Sequence, residues 1–152
     1  MAKAIPEGLH SITPQLAVDG AAEAIELYRR AFGAEETGDR APDPGGTKIW
    51  HASLRIGNSV IFINDVFPNM GGRPSVSSLW IYSENVDAAW KRAVDAGLTV
   101  VMPLADMFWG DRMGSLIDKW GIGWSLAQHV KDMTAAEQKQ AADEFIASMP
   151  KK

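Results

Sequence analysis

The chain has no cysteine, so disulfide bridges, thiolate metal sites and cysteine nucleophiles are all excluded. It has no apolar run near the roughly 18 residues that suggest a membrane span. The opening Met-Ala-Lys-Ala-Ile-Pro lacks an apolar core of signal-peptide length, so a cytoplasmic protein with no membrane partner is expected. Basic charge is also scarce: 15 Lys and Arg against 19 Asp and Glu leave a net charge of −4, with no basic cluster beyond pairs. Neutralising phosphates takes a basic face, so no nucleic acid partner is expected. No Gly-x-Ser-x-Gly elbow, P-loop or His-Glu-x-x-His stretch occurs. At 152 residues there is enough chain for one buried core and too little for two ordinary domains.

What the chain does have is a repeat. Ala21, Ala24, Ile25, Tyr28, Ala31 and Phe32 recur at helical spacing, with Glu23, Glu26, Arg29 and Arg30 on the other side. Asp19 is in place to cap this helix and Gly33 to end it. A second helix carries Val86, Ala89, Trp90 and Ala93, with Asn85 as its cap and Gly97 as its stop. Strands are expected at 12–18 and 77–82 before the helices. After the first helix they are expected at 36–40, 49–56 and 60–64, and after the second at 99–103, 113–117 and 123–128. Gly57-Asn58-Ser59 is a hairpin signal, because glycine readily takes the positive φ of such turns. Each half therefore reads strand, helix, then three strands. Thr134 and Glu137 form a capping box that opens a C-terminal helix, striped by Ala141, Ala142, Phe145, Ile146 and Met149. It is expected to pack on the domain or on a second subunit.

This order, together with Ile12-Thr13-Pro14-Gln15-Leu16, the stretch Glu26 to Ala34, His51 to Gly57, Val101 to Leu104, Phe108 to Arg112 and Trp124 to Ala127, resembles the vicinal oxygen chelate superfamily. That superfamily is the glyoxalase, bleomycin-resistance and dioxygenase group, and the likeness is to its PhnB-like branch. The resemblance spans about residues 11 to 131 and implies an α+β fold of two βαβββ modules forming a cup-shaped mixed sheet, with the C-terminal helix as an addition. Module one is placed at 11–67, a hinge at 68–76, module two at 77–131 and the extra helix at 134–149, all within one domain. Dimers are common in the superfamily, so a homodimer is expected. The methyltransferase label often attached to the branch has no support here, since no glycine-rich site for S-adenosylmethionine is present.

Metal-dependent members of the superfamily place ligands on the first and last strands of each module. Those positions match Thr13, Phe62, Ser78 and Ser125, and a register slip brings in only Gln15 or Asn64. A divalent cation needs anionic oxygens or imidazoles, so no metal cofactor is expected. Relatives in the branch commonly read Asp-Pro-Phe-Gly-His-x-Trp where this chain has Asp118-Lys119-Trp120-Gly121-Ile122-Gly123-Trp124, so Ile122 replaces a histidine.

Strand alternation sends Gln15 to the cup face of the first strand, and Ser78, Trp80 and Tyr82 to that of module two. On the strand after the first helix it sends His51, Ser53 and Arg55 inward. His51 is the candidate general base, being able to change charge near neutral pH, although a hydrogen-bonded structural histidine fits as well. Arg55 suits a carboxylate or an ion pair at the strand end. Trp109, Asp111 and Arg112 are expected at the rim, as ligand contacts or as a packed turn with an Asp–Arg pair. Trp90 is expected in the core, and His10 and His129 exposed at strand ends.

Three functions follow. The first is a metal-free protein that binds a small organic molecule. The second is a metal-dependent lyase, isomerase or dioxygenase in which His51, Asp65 and Asp111 converge on one ion. The third is a scaffold that serves only as an interaction module.

Overall fold

The computed structural model describes residues 1–151. Module one runs β1 (Gln15–Val18), α1 (Ala21–Phe32), β2 (Glu35–Glu36), β3 (Ala41–Pro42), β4 (Ile49–Ile56) and β5 (Ser59–Asp65). Module two runs β6 (Ser78–Tyr82), α2 (Val86–Asp95), β7 (Thr99–Asp106), β8 (Asp111–Ile117) and β9 (Gly123–His129), followed by α3 (Ala135–Ser148). The sheets have orders β1-β5-β4-β2, with β3 also on β4, and β6-β9-β8-β7. In each module the first strand lies parallel to the last, and the other pairings are antiparallel. The α+β fold of two like modules is as expected, but among the described residues no strand pairing joins the two sheets.

Helices α1 and α2 each cover one face of their own sheet and leave the other face open. Leu16, Val18, Leu54 and Ile63 are buried with Ala24, Ile25 and Tyr28 of α1. The modules meet along their helical sides, where the Trp124 ring of β9 lies 4.8 Å from Tyr28 and 4.5 Å from Phe32. Trp90 is packed against this core, as expected. It rests on Gly114, where an added Cβ would come within 2.6 Å of the indole. Gly114→Ala is therefore expected to cost about 2–3 kcal/mol by overpacking. Thermal melts should show the loss, and Trp90→Leu in the same chain should recover part of it. Equal losses with and without the second change would show that the contact does not set the cost.

Several boundaries moved for local reasons. The expected strand at 36–40 is instead the two short strands β2 and β3, separated by Gly38 at φ 102°. β7 continues through Pro103 to Asp106, because the proline sits in a register shift on an edge strand, where it need not donate a ladder hydrogen bond. The N-cap of α1 is Gly20, not Asp19. Gly20 has no side chain to donate to, and the carboxylate of Asp65 accepts the N–H groups of Gly20 and Ala21 from across the sheet (2.9 and 3.0 Å). Asn85 does cap α2, accepting from Ala88 N–H at 3.1 Å. Thr134 likewise caps α3, accepting from Glu137 N–H at 3.1 Å.

Candidate functional site

The open face of each sheet is a row of side chains set by strand alternation. In module two, β6 offers Ser78, Trp80 and Tyr82, while Leu79 and Ile81 turn toward the core. Trp80 and Tyr82 are 47% and 61% exposed, with rings 6.3 Å apart, so the face carries an uncovered aromatic wall. Ser125 stands opposite Trp80 on β9, and its hydroxyl lies 3.2 Å from that of Ser115 on β8.

At one end of this face a polar chain is wired around Asp111, which is buried. Tyr82 O–H donates to Asp111 Oδ2 at 2.8 Å, and His129 Nδ1 lies 3.0 Å from Oδ1. His129 Nε2 in turn lies 2.8 Å from Asp132. Burial alone would push Asp111 up, but its bonds from His129, Tyr82 and Trp109 outweigh that and hold the carboxyl below its ordinary value. The aspartates, Asp132 foremost, raise His129 and favour its imidazolium form. The Asp111 bond likewise raises the Tyr82 phenol, which therefore stays a donor.

In module one the alternation breaks where β4 begins. Ile49 and Ala52 are both buried, three residues apart, so Trp50 and His51 both fall on the open side. The cause lies at Ile49, whose N–H donates to the Asp65 carboxylate at 2.7 Å, while the β4–β5 register starts only at Ala52. His51 packs edge-on against Phe62, with ring centroids 4.7 Å apart. Ser53 accepts from the Thr37 hydroxyl at 2.7 Å. Gln15 Nε2 donates to Asn64 Oδ1 at 2.7 Å.

Of the expected site residues, the structure places Gln15, His51, Ser53 and Phe62 on one open face, and Ser78, Trp80, Tyr82, Asp111 and Ser125 on the other. Arg55 is at the rim, bound to Glu35 at 2.6 Å, so the ion-pair reading of it holds. Arg112 is a correction: alternation turns it to the helix side, where it donates to Asp87 of α2 (3.0 Å) and to Asp106 (3.3 Å). The expected Asp111–Arg112 pair is thus absent, because neighbours on one strand face opposite ways. Trp109 is half-buried with its ring edge-on to Phe108 at 5.1 Å. Ile122 is fully buried in the core, so its replacement of histidine does not alter the open faces.

Three residues of these faces were missed from the sequence. Trp50 was given no face, because nothing in its neighbours signals the break at Ile49. Asn64 entered only as a weak ligand, and His129, exposed at a strand end as expected, was not anticipated to bind Asp111. A pairing between Asp111 and His129 was open to anticipation, since antiparallel strands closing on the Lys119–Ile122 turn place the two opposite each other.

The superfamily's usual metal can be tested against the donors present. Thr13 lies before β1, and Phe62, Ser78 and Ser125 supply a phenyl ring and two hydroxyls, which do not fit a divalent cation. Nor do His51, Asp65 and Asp111 form an alternative set. Both oxygens of Asp65 are taken by backbone N–H groups and those of Asp111 by Tyr82 and His129. Among the described residues no three His, Asp or Glu side chains group as ligands.

With this geometry in hand, comparison with known proteins is direct. The model of the Glyoxalase/Bleomycin resistance protein/Dioxygenase superfamily matches residues 8–126. Protein Rv0887c of Mycobacterium tuberculosis (strain H37Rv) is 40% identical over 140 residues, covering 86% of this chain and 81% of that one. TioX from Micromonospora sp. ML1 has a similar structure, with a TM-score of 0.67 at 25% identity over 80% of this chain and 100% of its own. The PhnB protein from Bacillus cereus shares the fold, with a TM-score of 0.61 at 22% identity over 78% of this chain and 99% of its own. The chain belongs to the glyoxalase, bleomycin resistance protein and dioxygenase superfamily.

Proposed function

We propose that this chain is a small-molecule-binding protein that holds a flat organic ligand against its open sheet faces without the superfamily's usual metal. The observation that carries this reading is the make-up of those faces. Aromatic rings (Trp50, Trp80, Tyr82, Phe62) and neutral polar groups (Ser53, Ser115, Ser125, Gln15) line them, and the positions matched to metal ligands hold only Thr13, Phe62, Ser78 and Ser125. Aromatic walls with a few oriented polar groups are the ordinary lining of an organic ligand site. Two sheet faces left open on a single chain also support a homodimer, in which a second copy closes each face and completes the site.

Metal analysis of the purified protein, repeated after dialysis against zinc, nickel, manganese and iron, tests this first. The expected result is no stoichiometric retention, a solution mass of two chains, and tryptophan quenching by ring compounds that is lost in Trp80→Leu. One metal held per chain and released by His51→Ala would overturn the reading in favour of a lyase, isomerase or dioxygenase.

A further inference from the structure

The Pro68–Gly72 stretch, read from its composition as a plain hinge, is a built turn. The Phe67 carbonyl accepts from both Met70 N–H (3.0 Å) and Gly72 N–H (2.9 Å), and Gly71 N–H donates to the Pro68 carbonyl (3.0 Å). A Cβ at position 72 would meet the Phe67 backbone at 2.8 Å, so the chain can double back this closely only on glycine. The turn lays Phe67 and Met70 beside an open pocket of about 300 Å³, lined also by Trp50, Gly72 and the carboxamides of Gln15 and Asn64. Lys48 holds its ammonium 5.5 Å from the Phe67 ring centroid.

The two carboxamides are wired in one direction. Asn64 Nδ2 donates to the Asp65 carbonyl at 2.8 Å, which turns its Oδ1 toward Gln15 Nε2. One N–H of Gln15 is thereby used. Its second N–H and its Oε1 have no partner among the described residues, and they lie on one planar group. With the N–H anti to Oε1 given to Asn64, the remaining N–H and Oε1 share one edge of the group and match the edge of a cis-amide, the forked pairing by which Gln and Asn read other planar donor–acceptor edges. Trp50, 46% exposed, offers an indole to stack on, and Met70, 72% exposed, is a polarisable side chain able to fold over a ring. None of the six lining residues is charged, and the one cation beside them, Lys48, sits over the Phe67 ring, so the lining itself offers an ionised ring no hydrogen-bonded counter-ion.

We infer that this pocket takes an uncharged, flat heteroaromatic ligand with a lactam edge, its ring on Trp50 and its C=O and N–H paired with Gln15. The inference rests on the small-molecule reading above and names the ligand class for module one.

The test uses isoquinolin-1(2H)-one and its N-methyl derivative, which keeps the ring but cannot donate, with binding read by tryptophan quenching and calorimetry. The lactam is expected to bind about tenfold more tightly than its N-methyl form, the order one hydrogen-bond pair supplies. Gln15→Met should erase that preference, and Trp50→Leu should weaken both compounds. Equal binding of the two by the wild-type chain, a preference that survives Gln15→Met, or no binding of either up to its solubility limit would each overturn the inference. Ring compounds that bind in a Trp80-dependent way but ignore Gln15→Met would leave the broader reading standing and remove this one.

Discussion

Replacing Asp118 by alanine is expected to destabilise the fold by about 4–5 kcal/mol, because several buried donors lose their acceptor at once. Asp118 lies in the turn between β8 and β9 and is buried. Its Oδ2 accepts from the Tyr28 hydroxyl of α1 at 2.6 Å and from Trp124 Nε1 at 3.0 Å. Its Oδ1 accepts from the backbone N–H groups of Trp120 (2.9 Å) and Ile122 (3.0 Å). One carboxylate thus folds its own turn and ties the first helix of module one to the last strand of module two. Burial and then the Asp118 carboxylate push the Tyr28 phenol far above its ordinary value, so it stays a donor at any ordinary pH.

The loss should appear as a fall in melting temperature on the order of 10–20 °C for a domain of this size. Asp118→Asn should cost about half as much, since it keeps one acceptor for the turn but presents an N–H to Trp124. A cycle with Tyr28→Phe separates the lock from general packing. Removing both partners should cost clearly less than the sum of the single changes, because the hydroxyl is then no longer stranded. Strict additivity would sink the proposed coupling.

What could be read from the sequence was what repeats with a short period. Both helices of the modules were legible because Ala21 to Phe32 and Val86 to Ala93 carry complete apolar stripes, and Gly33 and Gly97 both take the positive φ that ends a helix. The faces of β6 followed from alternation alone. Groups that act across long sequence separations were not legible. Asp65 caps a helix that begins 44 residues earlier, and Asp118 bonds a tyrosine 90 residues away. Neither partner leaves a mark in the other's neighbourhood. The same holds for the candidate site. Gln15 was found from strand parity, but the pocket around it needs the break at Ile49 and the turn at Phe67, both products of long-range hydrogen bonds. The C-terminal helix was found from its capping box, yet no residue of α3 is buried, and the contact of Phe145 with Phe108, 5.0 Å between ring centroids, was not apparent from its stripe.

Asp65→Ala should be the next most damaging change, costing about 3–4 kcal/mol, because it strands donors in two elements. The Asp65 side chain is buried and accepts Gly20 and Ala21 N–H at the start of α1 and Ile49 N–H at the start of β4. Alanine leaves the α1 N-terminus without a cap and removes the acceptor that holds Ile49 and so turns Trp50 to the open face. Burial pushes the Asp65 carboxyl up, but its three backbone donors and nearby Lys48 outweigh this and lower it below the ordinary value. The sign of the pH effect follows. A carboxyl lowered by folding contributes stability that is full above its unfolded value, near 4, and is lost as pH falls through the lower folded value. The stability gap between wild type and Asp65→Asn, measured by urea unfolding, should therefore be widest near neutral pH and shrink below about pH 4. A gap that stays constant from pH 7 to pH 3 would mean that the carboxylate's charge contributes nothing and that its shape alone holds the two elements. Asp65→Asn should also change the environment of Trp50, since its amide N–H faces the N–H of Ile49 and pushes the start of β4 away. A shift in tryptophan emission that is absent from an Asp65→Asn, Trp50→Leu double variant would connect this buried cap to the wall of the pocket beside Gln15.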